Sequence, residues 1–248
     1  MMYNQFLSTG GFWLNLDGTE ILVDPGPGSI VQSTKMSLKA EKLSAIILSH
    51  RHLDHAADTN IMAEAMTQGG FKRHGRLYAP SDAIDTEPVI FPYIRKLIEG
   101  IEILEEGKTY KIGNVSLNTP VKHIHPVETY GFVFTSGSHS FSHITDTRYF
   151  DGLADYYKNE LLIINVVFLE PRTAADHPGL PIDHLSVPDV ERLVKEIKPK
   201  VAIMTHFGMS VWRAKPLQIA ERLTDSTGIR VIAAQDGMEF NLSELDDE

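Results

Sequence analysis

The sequence contains no cysteine in its 248 residues. Without thiols the chain cannot form disulfides, thiolate zinc fingers or iron–sulfur clusters, and it cannot use a cysteine nucleophile. Any metal ion that it binds must therefore be held by nitrogen and oxygen ligands.

Long apolar runs are also lacking. No stretch approaches the roughly 18 apolar residues of a membrane span, and the first residues, Met1 to Gln5, lack the basic start and apolar run of a signal peptide. The composition, 42% hydrophobic and 23% charged, is typical of a globular protein. We therefore predict a cytoplasmic protein with one domain over residues 1–248 and no membrane partner.

Positive charge is scarce, since the formal net charge is −10. An acidic field repels nucleic acid at long range, which argues against a broad nucleic-acid footprint. The densest basic cluster, Lys72, Arg73, His74 and Arg76, is typical of a solvated loop or helix end. The expected partner is a small-molecule or short nucleotide substrate, and a homo-oligomer is compatible with the sequence.

The pattern of apolar residues predicts many short strands with helices between them. Asp17-Gly18 between the apolar segments Phe12 to Leu16 and Glu20 to Val23 predicts a β-hairpin. Helices are predicted at 58–66, 186–197 and 216–223, and further strands at 45–48, 77–78, 101–104, 109–112, 115–117, 131–134, 140–144, 161–168, 201–204 and 231–233. This order favours two packed sheets with helices outside, although other α/β layouts fit it as well.

One short motif carries most of the chemistry. His50-Arg51-His52-Leu53-Asp54-His55 places four potential metal ligands within six residues, directly after a predicted buried strand. With 11 histidines in the chain, a chance H-x-H-x-D-H is expected on the order of once in a thousand sequences. The alternative is a histidine-rich polar loop without a ligand, but the spacing favours a metal site, and two metals over one.

This motif resembles the defining loop of the metallo-β-lactamase superfamily. Asp24 in Val-Asp-Pro-Gly is similar to the structural aspartate of that family, and the resemblance covers nearly the whole chain. It implies a four-layer αββα sandwich, with two packed mixed sheets and helices outside. It also implies a ligand set in which His50, His52 and His125 hold the first metal, Asp54, His55 and His206 hold the second, and Asp146 bridges them.

Two histidines compete for the third ligand position. His123 lies two residues before His125 and could point the same way from an extended segment. The family resemblance favours His125, because a Tyr-Gly pair follows it at the family's spacing. The remaining histidines without partners at ligand spacing are interpreted as surface or core residues: His74, His139, His143 and His177.

The segment His184-Leu185-Ser186 resembles the ribonuclease Z-like phosphodiesterase branch of the superfamily, which has a non-ligand histidine in this context. Glu170 is similar to the acidic partner in that branch, and a carboxylate would orient the ring for contact with a substrate oxygen. In the alternative interpretation, His184 only begins a helix. The chain lacks a long inserted arm between His55 and His125, so transfer RNA maturation is not expected.

The predicted cofactor is a pair of divalent metal ions, with Zn²⁺ expected and Mn²⁺, Fe²⁺, Ni²⁺ or Co²⁺ compatible with the ligands. Such a pair would convert a shared water to hydroxide at neutral pH, which then attacks a phosphodiester. The predicted catalytic residues are Asp54, His184 and Glu170. The alternatives are a lactonase or other ester hydrolase and, in a different class, a non-enzymatic metal- or cofactor-binding protein.

Overall fold

The computed structural model describes residues 7–9, 11–137, 139–172 and 183–246. The chain divides into two compact units, Met2–Thr119 and Pro120–Glu248. The prediction of a single domain stays a prediction. Among the described residues, no helix combines the length and the apolar character that crossing a membrane requires, and the cytoplasmic location likewise stays a prediction.

The first unit contains a mixed five-stranded sheet and the two strands of a second hairpin. Its elements are β1 (Phe12–Leu16), β2 (Thr19–Val23), α1 (Ser29–Lys35), β3 (Leu43–Ile47), α2 (Leu53–Ala56), α3 (Thr59–Met66), β4 (Arg76–Ala79), α4 (Pro92–Arg95), β5 (Gly100–Ile103), β6 (Lys108–Ile112) and β7 (Val115–Thr119), with 3₁₀ turns at Ala40–Lys42 and Ser81–Ala83. The sheet has the order β1-β2-β3-β4-β5, in which only the β1–β2 pair is antiparallel. β6 and β7 pair as an antiparallel hairpin.

The predicted first hairpin is confirmed, and its turn explains why. Asp17 and Gly18 both have positive φ, 49° and 77°, as a two-residue turn between right-twisted strands requires. Behind the hairpin, β3 is the central strand of the sheet, and Ile46, Met62 and Met66 pack in one apolar cluster with the neighbouring strands. This burial fixes the end of β3, from which the His-rich motif emerges.

The second unit contains a mixed sheet and three helices. Its elements are β8 (Phe132–Ser136), β9 (His139–Ile144), β10 (Leu161–Asn165), α5 (Val187–Ile197), β11 (Val201–Thr205), α6 (Met209–Arg213), α7 (Pro216–Thr227) and β12 (Arg230–Ala233), with 3₁₀ turns at Leu153–Tyr156 and Leu242–Leu245. Its strands pair in the order β12-β11-β10-β9-β8, and only β8 and β9 are antiparallel. Because β9, β10 and β11 are parallel neighbours, Asp146, Asn165 and His206 lie at one edge of the sheet.

Helix α5 forms where the sequence predicts it. Its apolar positions are buried, and Ser186 and Asp189 form a reciprocal capping box at its start. The predicted strand 161–168 ends earlier, at Asn165, because the chain leaves the ladder and Phe168 forms a single parallel bridge with Ser186. Helices α1, α2, α4 and α6 are short and were not predicted.

In the basic cluster, Lys72 and Arg73 are exposed, as expected for a solvated segment, whereas Arg76 begins β4. Arg73 donates from Nε to the carbonyl of Ile98 at 3.0 Å, and Arg76 pairs with Glu102 at 2.6 Å. These two guanidinium groups are therefore engaged by partners in their own unit.

Candidate metal centre

A buried aspartate organises the start of the His-rich motif. Asp24 follows β2 with a positive φ of 49° and is only 1% exposed. The backbone N–H of Ser49 donates to Asp24 Oδ1 at 2.7 Å, and the Ser49 hydroxyl donates to Oδ2 at 2.6 Å. Two neighbouring parallel strands are thereby joined just where the motif begins.

This arrangement sets the orientation of two histidine rings. His55 Nδ1 lies 2.9 Å from Asp24 Oδ2, and because an ionised carboxylate only accepts, Nδ1 carries the proton. His50 Nδ1 lies 3.0 Å from Ser49 Oγ, whose own proton is directed to Asp24, so this nitrogen also donates. Both rings therefore present Nε2 as the ligand atom, as metal-binding histidines held by outer partners do.

The four ligand-type residues of the motif, His50, His52, Asp54 and His55, form what we term the motif cluster. His50 Nε2 lies 3.1 Å from His52 Nδ1, and the rings of His50 and His55 are 4.1 Å apart between centroids. Asp54 Oδ2 lies 3.9 Å from His55 Nε2. The segment predicted as a loop thus contains the short helix α2, whose first turn carries Asp54 and His55.

Neighbouring residues of the first unit hold the motif in place. A Cβ on Gly26 would lie 2.0 Å from the backbone oxygen of Asp54, so only glycine permits this approach of the loop after β2. Arg51 points its guanidinium to Asp82 at 2.8 Å and pairs with Glu87. The guanidinium of Arg51, which lies inside the motif, is therefore held by two carboxylates.

We expect Asp24→Asn to lower metal affinity by about 10- to 100-fold, the usual cost of losing an outer partner of a ligand. Asn offers one acceptor oxygen where Asp24 accepts three hydrogen bonds, so the His55 ring loses its anchor. Metal titration with a chromophoric chelator measures the loss. The matched control is Asp17→Asn, which changes an exposed aspartate with the same positive φ in the hairpin turn; equal affinity losses in both variants would contradict the anchoring role.

A second group, the strand-end cluster, consists of His125, Asp146, His184 and His206 in the second unit. Ligand-type atoms of His125, Asp146 and His184 all lie within 4.8 Å of one another. Asp146 Oδ2 is 3.6 Å from His184 Nδ1, and its Oδ1 is 3.7 Å from His206 Nδ1. The buried carboxylate of Asp146 is therefore shared between two imidazoles.

The geometry distinguishes His125 from His123. His123 is buried, its Nδ1 lies 3.3 Å from the Asp146 carbonyl, and its Nε2 lies 2.7 Å from the Tyr157 hydroxyl. Burial lowers the pKa of His123 to about 3 and raises the pKa of Tyr157 well above its usual range, so His123 is neutral and accepts from the hydroxyl. His125 instead directs Nδ1 to the carbonyl of Asp183 at 2.9 Å, so Nε2 would be the atom that binds a metal.

His206 has an uncommon backbone conformation. Its φ is +57°, in the left-handed region that only a few per cent of non-glycine residues adopt, histidine more often than most. Such residues concentrate at functional sites, where the surrounding structure maintains the strain. The conformation places the ring of His206 beside Asp146, directly after β11.

The pairing of Glu170 with His184 stays a prediction. The parallel bridge between Phe168 and Ser186 puts His184 level with Val166, four residues before Glu170, and the Glu170 side chain is exposed. The carboxylate of Asp146 lies 3.6 Å from His184 Nδ1 through its Oδ2. Asp146 is therefore a second candidate, beside the Glu170 that the family resemblance implies, for the group that orients His184.

Both clusters fit divalent metal ions by the chemistry of their donors. Each combines imidazole nitrogens with carboxylate oxygens, a set that suits zinc, manganese, iron, cobalt and nickel. Three of the rings, those of His50, His55 and His125, are already oriented through Nδ1. Four histidines are not assigned as ligands or catalytic residues: His74 is half-buried in the loop before β4, His139 faces Asp246, His143 is buried beside Asn165, and His177 lies outside the described residues.

Comparison with known proteins gives one family model and several relatives. The model, described as a beta-lactamase superfamily domain, matches residues 19–207, more than half of the chain. The probable metallo-hydrolase YhfI of Bacillus subtilis is 28% identical over 201 residues, which cover 80% of each chain. Its crystal structure superposes with a TM-score of 0.79 at 22% identity, covering 94% of this chain and 92% of that chain.

Two further matches are named for reactions on phosphorus compounds. Ribonuclease Z of Kineococcus radiotolerans is 31% identical over 100 residues, which cover 39% of this chain and 32% of that protein. The crystal structure of a diphosphatase from the PhnP family superposes with a TM-score of 0.68 at 23% identity, covering 95% of this chain and 85% of that chain.

Proposed function

This chain belongs to the β-lactamase superfamily, and from that premise we propose that it is a metal-dependent hydrolase whose substrates are small or single-stranded phosphodiesters. The predicted metallo-β-lactamase fold is confirmed by the two mixed sheets with helices and by the solved structures that share it. What we propose beyond the family is that the bond hydrolysed is a phosphodiester.

The proposed cofactor is a pair of divalent ions, with zinc expected. We assign the ligands as the resemblance implies: His50, His52 and His125 for one ion, Asp54, His55 and His206 for the other, and Asp146 between them. When bound, such a pair polarises a phosphoryl oxygen and supplies an activated water. Support comes from the donor chemistry of the two clusters and from the ring orientations that Asp24, Ser49 and Asp183 impose.

The protein's own residues supply orientation, charge and a proton. Asp146 carries a buried negative charge that two cations can share, and Asp54 adds a second carboxylate at the motif. His184 has Nδ1 facing Asp146 Oδ2 at 3.6 Å, so Nε2 is the nitrogen that we assign to the substrate oxygen. In this position His184 can hold a proton for the leaving oxygen.

The observation that carries the phosphodiester assignment is the position of His184 against Asp146 in the strand-end cluster. A leaving alkoxide needs a proton, and a histidine outside the assigned ligand set provides one. The names of two relatives, a ribonuclease and a diphosphatase, agree with chemistry at phosphorus.

We expect the metal-loaded protein to hydrolyse bis(p-nitrophenyl) phosphate and a cyclic nucleotide faster than a homoserine lactone, with kcat/KM compared side by side. Protein stripped with a chelator and reloaded with zinc or manganese serves as its own control. Preference for the lactone would overturn the phosphodiester assignment in favour of an ester hydrolase. No turnover of any substrate by protein with two bound metals would favour a binding protein.

A further inference from the structure

Asn165 is a buried polar residue at the last position of β10 and has no part in the ligand assignment. It is 4% exposed and lies between the ends of β9 and β11. Its Nδ2 donates to Asp146 Oδ1 at 2.9 Å and lies 3.4 Å from Thr145 Oγ1. Its Oδ1 lies 3.4 Å from His143 Nε2.

The orientation of the Asn165 amide follows from these partners. An ionised carboxylate only accepts hydrogen bonds, so the amide must turn its NH₂ to Asp146. The opposite side of the amide then presents an oxygen, which can accept only from a protonated nitrogen, and His143 Nε2 occupies that position. The Asp146 carboxylate thus selects one orientation of Asn165, and the tautomer of His143 with its proton on Nε2 fits that orientation.

We propose that Asn165 is a positioning residue that fixes the rotation of the Asp146 carboxylate and so raises the metal affinity of the site. It binds Oδ1, the oxygen that faces His206 at 3.7 Å, and thereby directs Oδ2 to His184 at 3.6 Å. Carboxylates that bind metal ions are themselves hydrogen-bonded by outer partners, which set their orientation. This inference rests on the proposed function, since it takes Asp146 as a metal ligand.

A second contact holds Asp146, this time through its backbone carbonyl. The carbonyl of Asp146 lies 3.3 Å from His123 Nδ1, and Tyr157 fixes the other nitrogen of that ring. A Cβ on Gly131 would lie 2.3 Å from the Tyr157 hydroxyl, so the ring pair is closely packed. With the backbone fixed in this way, rotation of the side chain is the motion left to Asp146, and Asn165 restrains it.

The test uses Asn165→Asp, which keeps the shape of the side chain but replaces the donor with an acceptor. We expect divalent-metal affinity to fall by about 10- to 100-fold, measured by competition with a chromophoric chelator. In protein loaded with two Co²⁺ per chain, the magnetic coupling seen by electron paramagnetic resonance should also weaken. Asn165→Ala removes the donor without adding charge and should lower the affinity in the same direction.

The matched control is Asn159→Asp. Asn159 lies two residues before Leu161, the first residue of β10. Asn159 donates to Ser142 Oγ at 2.6 Å and accepts from Ser140 Oγ at 2.7 Å, away from the strand-end cluster. This change should lower the thermal midpoint of the metal-free protein and leave metal affinity and the Co²⁺ signal unchanged. A purely structural role for Asn165 predicts that both variants behave alike, which would overturn the proposal.

Asp146→Asn, measured in parallel, distinguishes a failure of the proposed metal site from a failure of the inference about Asn165. If Asp146→Asn keeps the wild-type metal content, the proposed metal site is wrong and the inference fails with it. If Asp146→Asn loses metal while Asn165→Asp and Asn165→Ala keep full affinity and the wild-type Co²⁺ signal, the inference alone is overturned. If Asn165→Asp does not fold, Asn165→Ala decides by the same two measurements.

Discussion

Replacing His50 or His206 with alanine is expected to lower the metal content of the protein and to reduce kcat/KM for a phosphodiester by at least about 100-fold. Losing an outer partner of a ligand already costs 10- to 100-fold, and loss of the ligand itself removes a metal–nitrogen bond outright. His50 lies in the motif cluster and His206 in the strand-end cluster, so the pair tests one residue from each unit. Elemental analysis of purified protein and initial rates measure the two effects.

The control for these variants is His139→Ala. His139 begins β9 at the end opposite to Asp146 and faces Asp246 at 3.9 Å, so its loss should change neither metal content nor rate. Wild-type protein that takes up only one metal per chain in saturating zinc or manganese would contradict the proposed pair of ions. Full metal content in His206→Ala would show that the ligand after β11 has been misassigned.

The sequence predicts those secondary-structure elements that depend on residues within the element itself, such as a turn or a helix cap. The hairpin depends on Asp17 and Gly18 accepting positive φ, and α5 depends on a five-position apolar stripe and a serine cap. β10 shows the limit of this reasoning, since the apolar run continues to Phe168 while the ladder stops at Asn165. The end of β10 is set by pairing with the segment that leads into α5, which no local pattern records.

The candidate ligands could be found from the sequence, and so could Asp24, which orients His55, but the other orienting residues could not. H-x-H-x-D-H concentrates four donors in one segment, so spacing alone exposes it. Asn165 and Tyr157 lie 19 and 34 residues from the partners they hold, Asp146 and His123, and are ordinary polar residues by type. Only the sheet, by aligning the ends of β9 and β10, gives Asn165 its contact.

His184→Ala is expected to leave the metals in place and to lower kcat for an unactivated phosphodiester by roughly 10²- to 10⁴-fold, the usual contribution of general acid–base assistance. The reason is that His184 lies beside Asp146 as a proton carrier in the proposed mechanism, outside the assigned ligand set. The loss should be smaller for bis(p-nitrophenyl) phosphate, whose leaving group needs little protonation. Metal analysis and kcat on both substrates measure these effects.

Glu170→Gln and the double variant with His184→Ala decide what a loss of rate in His184→Ala means. Glu170→Gln should cost less than His184→Ala, because Glu170 is exposed and Asp146 is the carboxylate at 3.6 Å from the ring. An equal loss of rate in Glu170→Gln, non-additive with His184→Ala, would support the pairing of Glu170 with His184 that the family resemblance implies. Loss of metal from His184→Ala would make His184 a ligand, since its nitrogen already lies within 4.8 Å of ligand atoms of His125 and Asp146. Full activity of His184→Ala on the unactivated diester would remove the observation that carries the phosphodiester assignment, and an ester or lactone would become the favoured substrate.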